Sequence, residues 1–291
     1  MNRSRESGMA LLVVLWTLLL VGIVGASVSS QARKQGMLSR NGVLLAQAEA
    51  VAEAGVVRAV VGMLDLRPEA AWHADGSVHR FSLDQITVEV RIVDEAGKVD
   101  INAASPELIA TLLQVCGASP DTAVSVAADV ADLRRGAVTG RPKGFETTSE
   151  LLAIPGMTPA IYDRAAPFMT VLTRATGIDP SVAAPELLAA LANIDPSLAP
   201  TINAARAMGA SAAAPALPTN GYLTQSQHTV FTIQAVARAA KARFGRQATI
   251  RLTHNAELPL LVHSWTRLIE PVETPAAQNS RRRSVNAFTL S

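Results

Sequence analysis

The chain has 291 residues, is 49% hydrophobic and only 17% charged, against about 25% charged in ordinary soluble domains, which excludes a disordered or heavily solvated chain. The net charge of +2 sits at the ends: Arg3, Arg5 and Glu6 give +1 in residues 1–8, and Glu273 with Arg281, Arg282 and Arg283 gives +2 in residues 273–291, leaving −1 for the body. A near-neutral body is not the electrostatic footprint of a DNA-binding domain, and the single cysteine, Cys116, permits no intrachain disulfide, so the fold rests on its core.

From Met9 to Ala32 no residue is charged, and this stretch, MALLVVLWTLLLVGIVGASVSSQA, follows a basic leader, MNRSRESG. As a helix it would measure about 36 Å, enough to cross a hydrocarbon core of about 30 Å. Arg3 and Arg5 precede the span and Arg33 and Lys34 follow it; a basic leader of this kind favours a cytoplasmic start and a translocated body. The small residues Gly25, Ala26 and Ser27 also suit a secretory signal with a cleavage site. Against that reading, no breaker follows Arg33 until Pro68, and apolar side chains recur at Leu44, Ala48, Val51, Ala52, Gly55, Val56, Val60 and Leu64. That spacing is a helical stripe. The expectation is one helix over 9–66, its membrane part at 9–32, lying on a domain through a narrow apolar face.

A short charged leader ending in Gly, a long apolar helix continuing amphipathically and a small domain after it resemble the type IV pilin and pseudopilin superfamily. The resemblance implies cleavage by a prepilin peptidase directly after Gly8, with Met9 as the N-methylated first residue of the mature chain. Gly at the cut suits a protease that must draw the backbone into an extended form. Most members carry a glutamate at the fifth mature position, which here is Val13. A carboxylate in lipid is costly unless paired, and in that superfamily it meets the free amine of a neighbouring subunit. Its absence resembles one family of minor pseudopilins, protein K of type II secretion (general secretion pathway protein K), which sits at the filament tip.

The body reads as a split sheet. Residues 81–101 alternate apolar positions at Ile86, Val88, Val90 and Ile92 and then present Glu95, Ala96 and Gly97, which predicts a hairpin turning there. Strand-like alternation returns at Val230–Ala237, Ala248–Thr253 and Leu260–Leu268, and the residues between are helical in pattern. The predicted fold is α+β: a pilin-like long N-terminal helix packed on an antiparallel sheet formed by 67–101 and 221–272, which a large all-α insertion at 102–220 interrupts. VDEAGKVDINAAS before the insertion and VHSWTRL in the last strand resemble the corresponding segments of the protein K family, so the likeness runs from residue 8 to about 270.

Within the insertion, Ala-Ser-Pro-Glu-Leu-Ile-Ala-Thr-Leu at 104–112 recurs as Ala-Ala-Pro-Glu-Leu-Leu-Ala-Ala-Leu at 183–191, and Thr-Ser-Glu-Leu-Leu-Ala-Ile-Pro-Gly at 148–156 is a looser copy. Pro near the first turn and Glu at the positive end of the dipole mark helix starts, so Glu107, Glu150 and Glu186 read as first-turn residues rather than acids of a catalytic pair. These repeats also resemble the helix-hairpin-helix, which opens an alternative: a membrane-anchored DNA receptor of the competence type. Such hairpins bind phosphate through backbone amides of a Gly-rich turn. The turns here, Cys116-Gly117-Ala118-Ser119-Pro120 and Pro155-Gly156-Met157-Thr158-Pro159, lack a second glycine, place Pro where a donor would help and have Asp121 or Asp163 nearby. Arg134, Arg135, Arg141 and Lys143 favour DNA, or form a solvated loop.

No catalytic motif is present. Gly-x-Ser-x-Gly and His-Glu-x-x-His are missing, Gly136–Lys143 has the wrong spacing for a phosphate loop, and His73, His79, His228, His254 and His263 are scattered. The expectation is a protein without enzymatic activity and without a cofactor. The resembled family can bind calcium in its helical domain through clustered carboxylates; the candidates here are Asp129, Asp132, Glu146, Glu150 and Asp179, beside a basic loop at 134–143 where hard cations would want acidic oxygens. No metal site is assigned. Residues 174–220 are rich in Ala and Pro, and 273–291 read as a disordered basic tail.

By resemblance, then, the chain is expected to be a minor pseudopilin in the inner membrane with a periplasmic body. Its expected partners are the I and J minor pseudopilins, the major pseudopilin and the prepilin peptidase, without nucleic acid. At the pseudopilus tip it would initiate assembly and support export of folded proteins. A type IV pilus minor pilin with the same helix is a further alternative.

Overall fold

The computed structural model describes residues 4–65, 67, 69–136, 144–208, 221–239, 242–253, 255 and 257–268, and within the first helix the side chains of 14–23, 26, 35 and 37 onward. Helix α1 runs over Ser4–Met63 without a break, about 90 Å at the α-helical rise. Its C-terminal part lies on a five-stranded antiparallel sheet in the order β1-β2-β5-β6-β7, formed by Asp75–Leu83, Ile86–Asp94, Val230–Arg238, Arg243–Leu252 and Leu260–Leu268.

The helix approaches the sheet through small residues. Ala48, Ala52 and Ala59 are fully buried beside Val51 and Val56, against Val88, Val90, Ile92, Ile233, Ala235 and Ala248. At Gly55 a Cβ would meet Ala235 Cβ and Val88 Cγ1 at 3.0 Å, so glycine sets the closest approach. Arg246, 9% exposed on the helix-facing side of β6, donates through Nη2 to Glu49 Oε1 at 2.7 Å and Glu53 Oε1 at 2.5 Å. These carboxylates stand one helical turn apart, so a single guanidinium bridges both. Of the predicted stripe, Leu64 falls in the turn beyond the helix and is exposed.

The hairpin lies elsewhere than the sequence suggested. β1 pairs with β2 across Asp84 and Gln85, both with positive φ (47° and 64°), the geometry that matches strand twist in a two-residue hairpin. Glu95–Gly97, expected to be that turn, is instead a single 3-10 turn that carries the chain out of the sheet. β5 then returns directly beside β2, with Asp94 opposite Phe231.

Between them lies a separate helical core containing α2 (Pro106–Val115), α3 (Pro120–Arg135), α4 (Pro159–Ala165), α5 (Pro185–Ile194) and α6 (Ala199–Met208). β3 (Val99–Asp100) and β4 (Met169–Thr170) form a short parallel pair at its base. Proline opens α2, α3, α4 and α5, and Ser105, Ser119 and Thr158 cap the first three by accepting from Leu108, Thr122 and Ile161 amides. Glu107 and Glu186 stand in first turns as expected, and Glu150 does so in a 3-10 turn, Thr148–Ala153, where the looser repeat copy falls short of an α-helix. Leu108, Leu112, Leu187, Leu188 and Leu191 meet in one core.

Replacing Gly55 with Leu is expected to destabilise the helix–sheet contact by about 1–3 kcal/mol. Gly42→Leu on the same helix, where nothing lies within 4 Å, should leave stability unchanged or raised. Circular dichroism melts of the detergent-solubilised chain compare the two.

Candidate functional site

The densest chemistry among the described residues lies where the helical unit leaves and rejoins the sheet. Asp94, Glu95, Asp100 and Asp179 are each no more than 3% exposed, and buried carboxylates persist only where donors satisfy them. Each is satisfied. Asp94 caps the 3-10 turn by accepting from the Ala96 amide at 2.8 Å. Glu95 pairs with Lys98 and accepts from Thr232 Oγ1 of β5 at 2.8 Å. Asp100 accepts from the amides of Asn102 and Arg174, both at 2.7 Å, and from Thr173 Oγ1 at 3.0 Å. Asp179 accepts from the Ser181 amide and hydroxyl and from the Ser226 amide.

Asn102 extends the lock across the helical unit. Its Oδ1 accepts from the Phe145 amide at 2.7 Å, and its Nδ2 donates to the Phe145 and Val171 carbonyls. Gly97 is required by space: a Cβ there would stand 2.6 Å from the Val182 carbonyl oxygen and 2.8 Å from Ala183. The VDEAGKVDINAAS segment is thus a set of capping and docking residues for the base of the insertion.

His228 closes the junction. Its Nδ1 lies 2.6 Å from Asp94 Oδ2, and its Nε2 lies 3.6 Å from Asp179 Oδ2. The hydrogen bond to Asp94 holds its pKa above the usual imidazole range, and both carboxylate charges add to this against the opposing effect of burial. With both ring nitrogens facing carboxylates, neither is placed to activate a nucleophile. Burial pushes the Cys116 thiol up, which leaves it the weakly nucleophilic thiol form.

Three of the five calcium candidates are put to other uses. Asp132 pairs with Arg135, Glu150 Oε1 accepts from the Glu146 and Thr147 amides, and Asp179 is engaged as described. Among the described residues no group of three or more His, Cys, Asp or Glu is placed to hold a metal ion. Arg134 donates to the Ala104 carbonyl at 2.9 Å. Arg141, Lys143, His254 and the tail from 273 lie outside the described residues, as do the side chains of Met9 and Val13; the backbone of Gly8, Met9 and Val13 belongs to α1.

Each of the two hairpin-like turns packs against the helix that follows the other. Gly117 and Gly156 both have φ +88°; a Cβ on the first would meet Arg164 Nη2 at 2.9 Å, and on the second Thr122 Cγ2 and Val126 Cγ2 at 3.3 Å. In the first turn the amides of Cys116, Gly117 and Ala118 donate to the Leu112, Gln114 and Leu113 carbonyls, and in the second the Met157 amide donates to Ile154. Those amides are already spent within the chain.

On α1, Val14, Leu15, Trp16, Leu18, Leu19, Leu20, Val21 and Ile23 are each at least half exposed. Among residues with described side chains, no helix is long and apolar enough to cross a membrane; the uncharged stretch Met9–Ala32 extends beyond them at both ends.

No protein-family model matches the chain, and no curated protein matches it. A chain of the crystal structure of the GspK-GspI-GspJ complex from the type 2 secretion system of enterotoxigenic Escherichia coli superposes with a TM-score of 0.51 at 13% identity, covering 82% of this chain and 100% of that one. The two share a fold: the α+β arrangement of a long helix on an antiparallel sheet interrupted by a helical unit, which the sequence reading expected.

Two outcomes test the junction. Since the folded pKa of His228 is raised, its contribution is complete below the unfolded value of 6.5 and is lost as pH rises through the folded value; thermal stability should fall over that window, and His228→Gln should flatten the fall. Gly97→Ala should lower stability by about 1–3 kcal/mol, read by the same melts.

Proposed function

We propose that this chain is a K-type minor pseudopilin of a type II secretion system. The observation that carries the reading is the shared fold, which extends over 82% of this chain and the whole of the neighbour and so takes in helix, split sheet and helical unit together. That neighbour is part of a GspK-GspI-GspJ complex, and on this reading the present chain works with minor pseudopilins of the same kinds and with a major pseudopilin. Its role is mechanical and organisational, not catalytic.

The amino-terminal part of α1 supplies the anchor. The apolar side chains from Val14 to Ile23 stand clear of the protein, where they would be costly in water and favourable in lipid. The chain is cut after Gly8 by a prepilin peptidase, Met9 becomes the first residue, and the body stands in the periplasm. Val13 offers no carboxylate to a subunit ahead of it, and the helical unit adds bulk above the sheet; together they suit the chain to the filament tip, where assembly starts and folded proteins are driven outward.

The helix-hairpin-helix likeness of the insertion is the observation that favours a competence-type DNA receptor. Turn amides already spent on Leu112, Leu113, Gln114 and Ile154 weigh against it, because phosphate recognition by such turns needs free donors.

The test is the mass and amino-terminal sequence of the chain recovered from membranes with and without the peptidase. A start at N-methylated Met9 only when the peptidase is present is the expected outcome; a start near Ser27, or retention of Met1, sinks the reading. Tip placement is tested separately: Val13→Glu, or removal of 102–220, should cost tip localisation and secretion, and normal behaviour of both variants would refute that part.

A further inference from the structure

The edge of the sheet at β7 is only partly protected, by a bulge at His263 in its pairing with β6 and by the charge of Arg267. α1 packs on β2, β5 and β6, and β7 is the outermost strand beyond them. It is nine residues long, LLVHSWTRL, without Lys, Pro, Asp or Glu. Edge strands are normally blunted by such residues, because alternate N–H and C=O groups of an edge are free to pair with another chain. Here Val262 is 53% and Trp265 42% exposed.

The charge on this edge is also unbalanced. Arg267 stands directly opposite Arg246 in the β6–β7 register, and like charges so placed repel. Arg246 is answered by Glu49 and Glu53 of α1. Arg267 lies over the Phe244 ring at 4.9 Å, and among the described residues no carboxylate pairs with it. Two residues away on the same face is Trp265, itself under the Arg246 guanidinium at 5.6 Å.

We propose that the outer edge of β7 receives an extended strand of a partner protein that presents a carboxylate opposite Arg267 and an apolar side chain opposite Trp265. Main-chain hydrogen bonds supply the affinity and these two side chains set the register. A second copy of this chain is a poorer occupant, since its own β7 has no carboxylate to offer. The proposal goes beyond the secretion reading and does not rest on it.

The probe is an acetylated and amidated peptide, Thr-Glu-Thr-Val-Thr-Val-Thr, added to the full chain in detergent micelles, with amide hydrogen exchange of 260–268 as the readout. Three results are expected. The peptide protects β7 amides; its Lys-for-Glu analogue does so about fivefold more weakly; and in the exposed-site variant Arg267→Glu that preference reverses. A peptide N-methylated at alternate amides should give no protection. Equal protection by the Glu and Lys peptides, or none by either, overturns the proposal. So does protection already present without peptide: lost on truncation after Leu268, it assigns the edge to residues 269–291, and growing with protein concentration, to a second copy.

Discussion

Everything above the sheet depends on closing one loop. β2 and β5 are adjacent antiparallel strands, with Asp94 opposite Phe231, so the whole helical unit must leave and return within one inter-strand spacing, about 4.8 Å. A junction this narrow has little room for apolar packing, and it is held by directional bonds instead. Asp94, Glu95, Asp100 and Asp179 bind the outgoing chain to residues 173–181 and 226–232, and Ile178 and Thr224 complete the lock through backbone bonds to Tyr222 and Ile178. Each carboxylate is expensive to bury, and Asp94 and Glu95 draw their partners from both sides of the closure.

The two cores on either side of that junction solve different problems. Under α1 the helix meets the valines and isoleucines of the sheet largely through alanine and glycine, which brings helix and sheet close. In the helical unit leucine and isoleucine fill the space between short helices, several opened by proline and capped by a hydroxyl. Arg246 is the exception under α1: a cation on the inner face of the sheet, tolerated because Glu49 and Glu53 approach from the solvent side of the helix.

What was legible in the sequence follows from which signals are local. β2 shows alternation because one of its faces meets the helix, and the α2 and α5 starts show because Pro and Glu act within one turn. β1 was not read, since in DGSVHRFSL an edge strand buries too little to impose a pattern. The turn was misplaced for a related reason: Asp84 and Gln85 adopt positive φ without glycine to announce it, whereas Gly97, which looks like a turn residue, is there to admit Val182 and Ala183. The junction motif was visible as a string, but the partners that give it meaning lie far along the chain, Asp94 meeting His228 and Asp100 meeting Arg174. Nothing local encodes such pairings.

The closure at β2 and β5 also carries an entropic cost. Seen from the sheet, residues 95–229 are one very long hairpin loop, and closing it as unstructured chain costs about 3 kcal/mol more than closing a four-residue turn, because that cost rises only with the logarithm of length. A loop that first collapses into its own leucine core shortens its effective span to the distance between Asp94 and His228, which removes most of the penalty. Only the β2–β5 pairing carries this cost, since β1–β2, β5–β6 and β6–β7 are pairs of neighbouring strands in the chain.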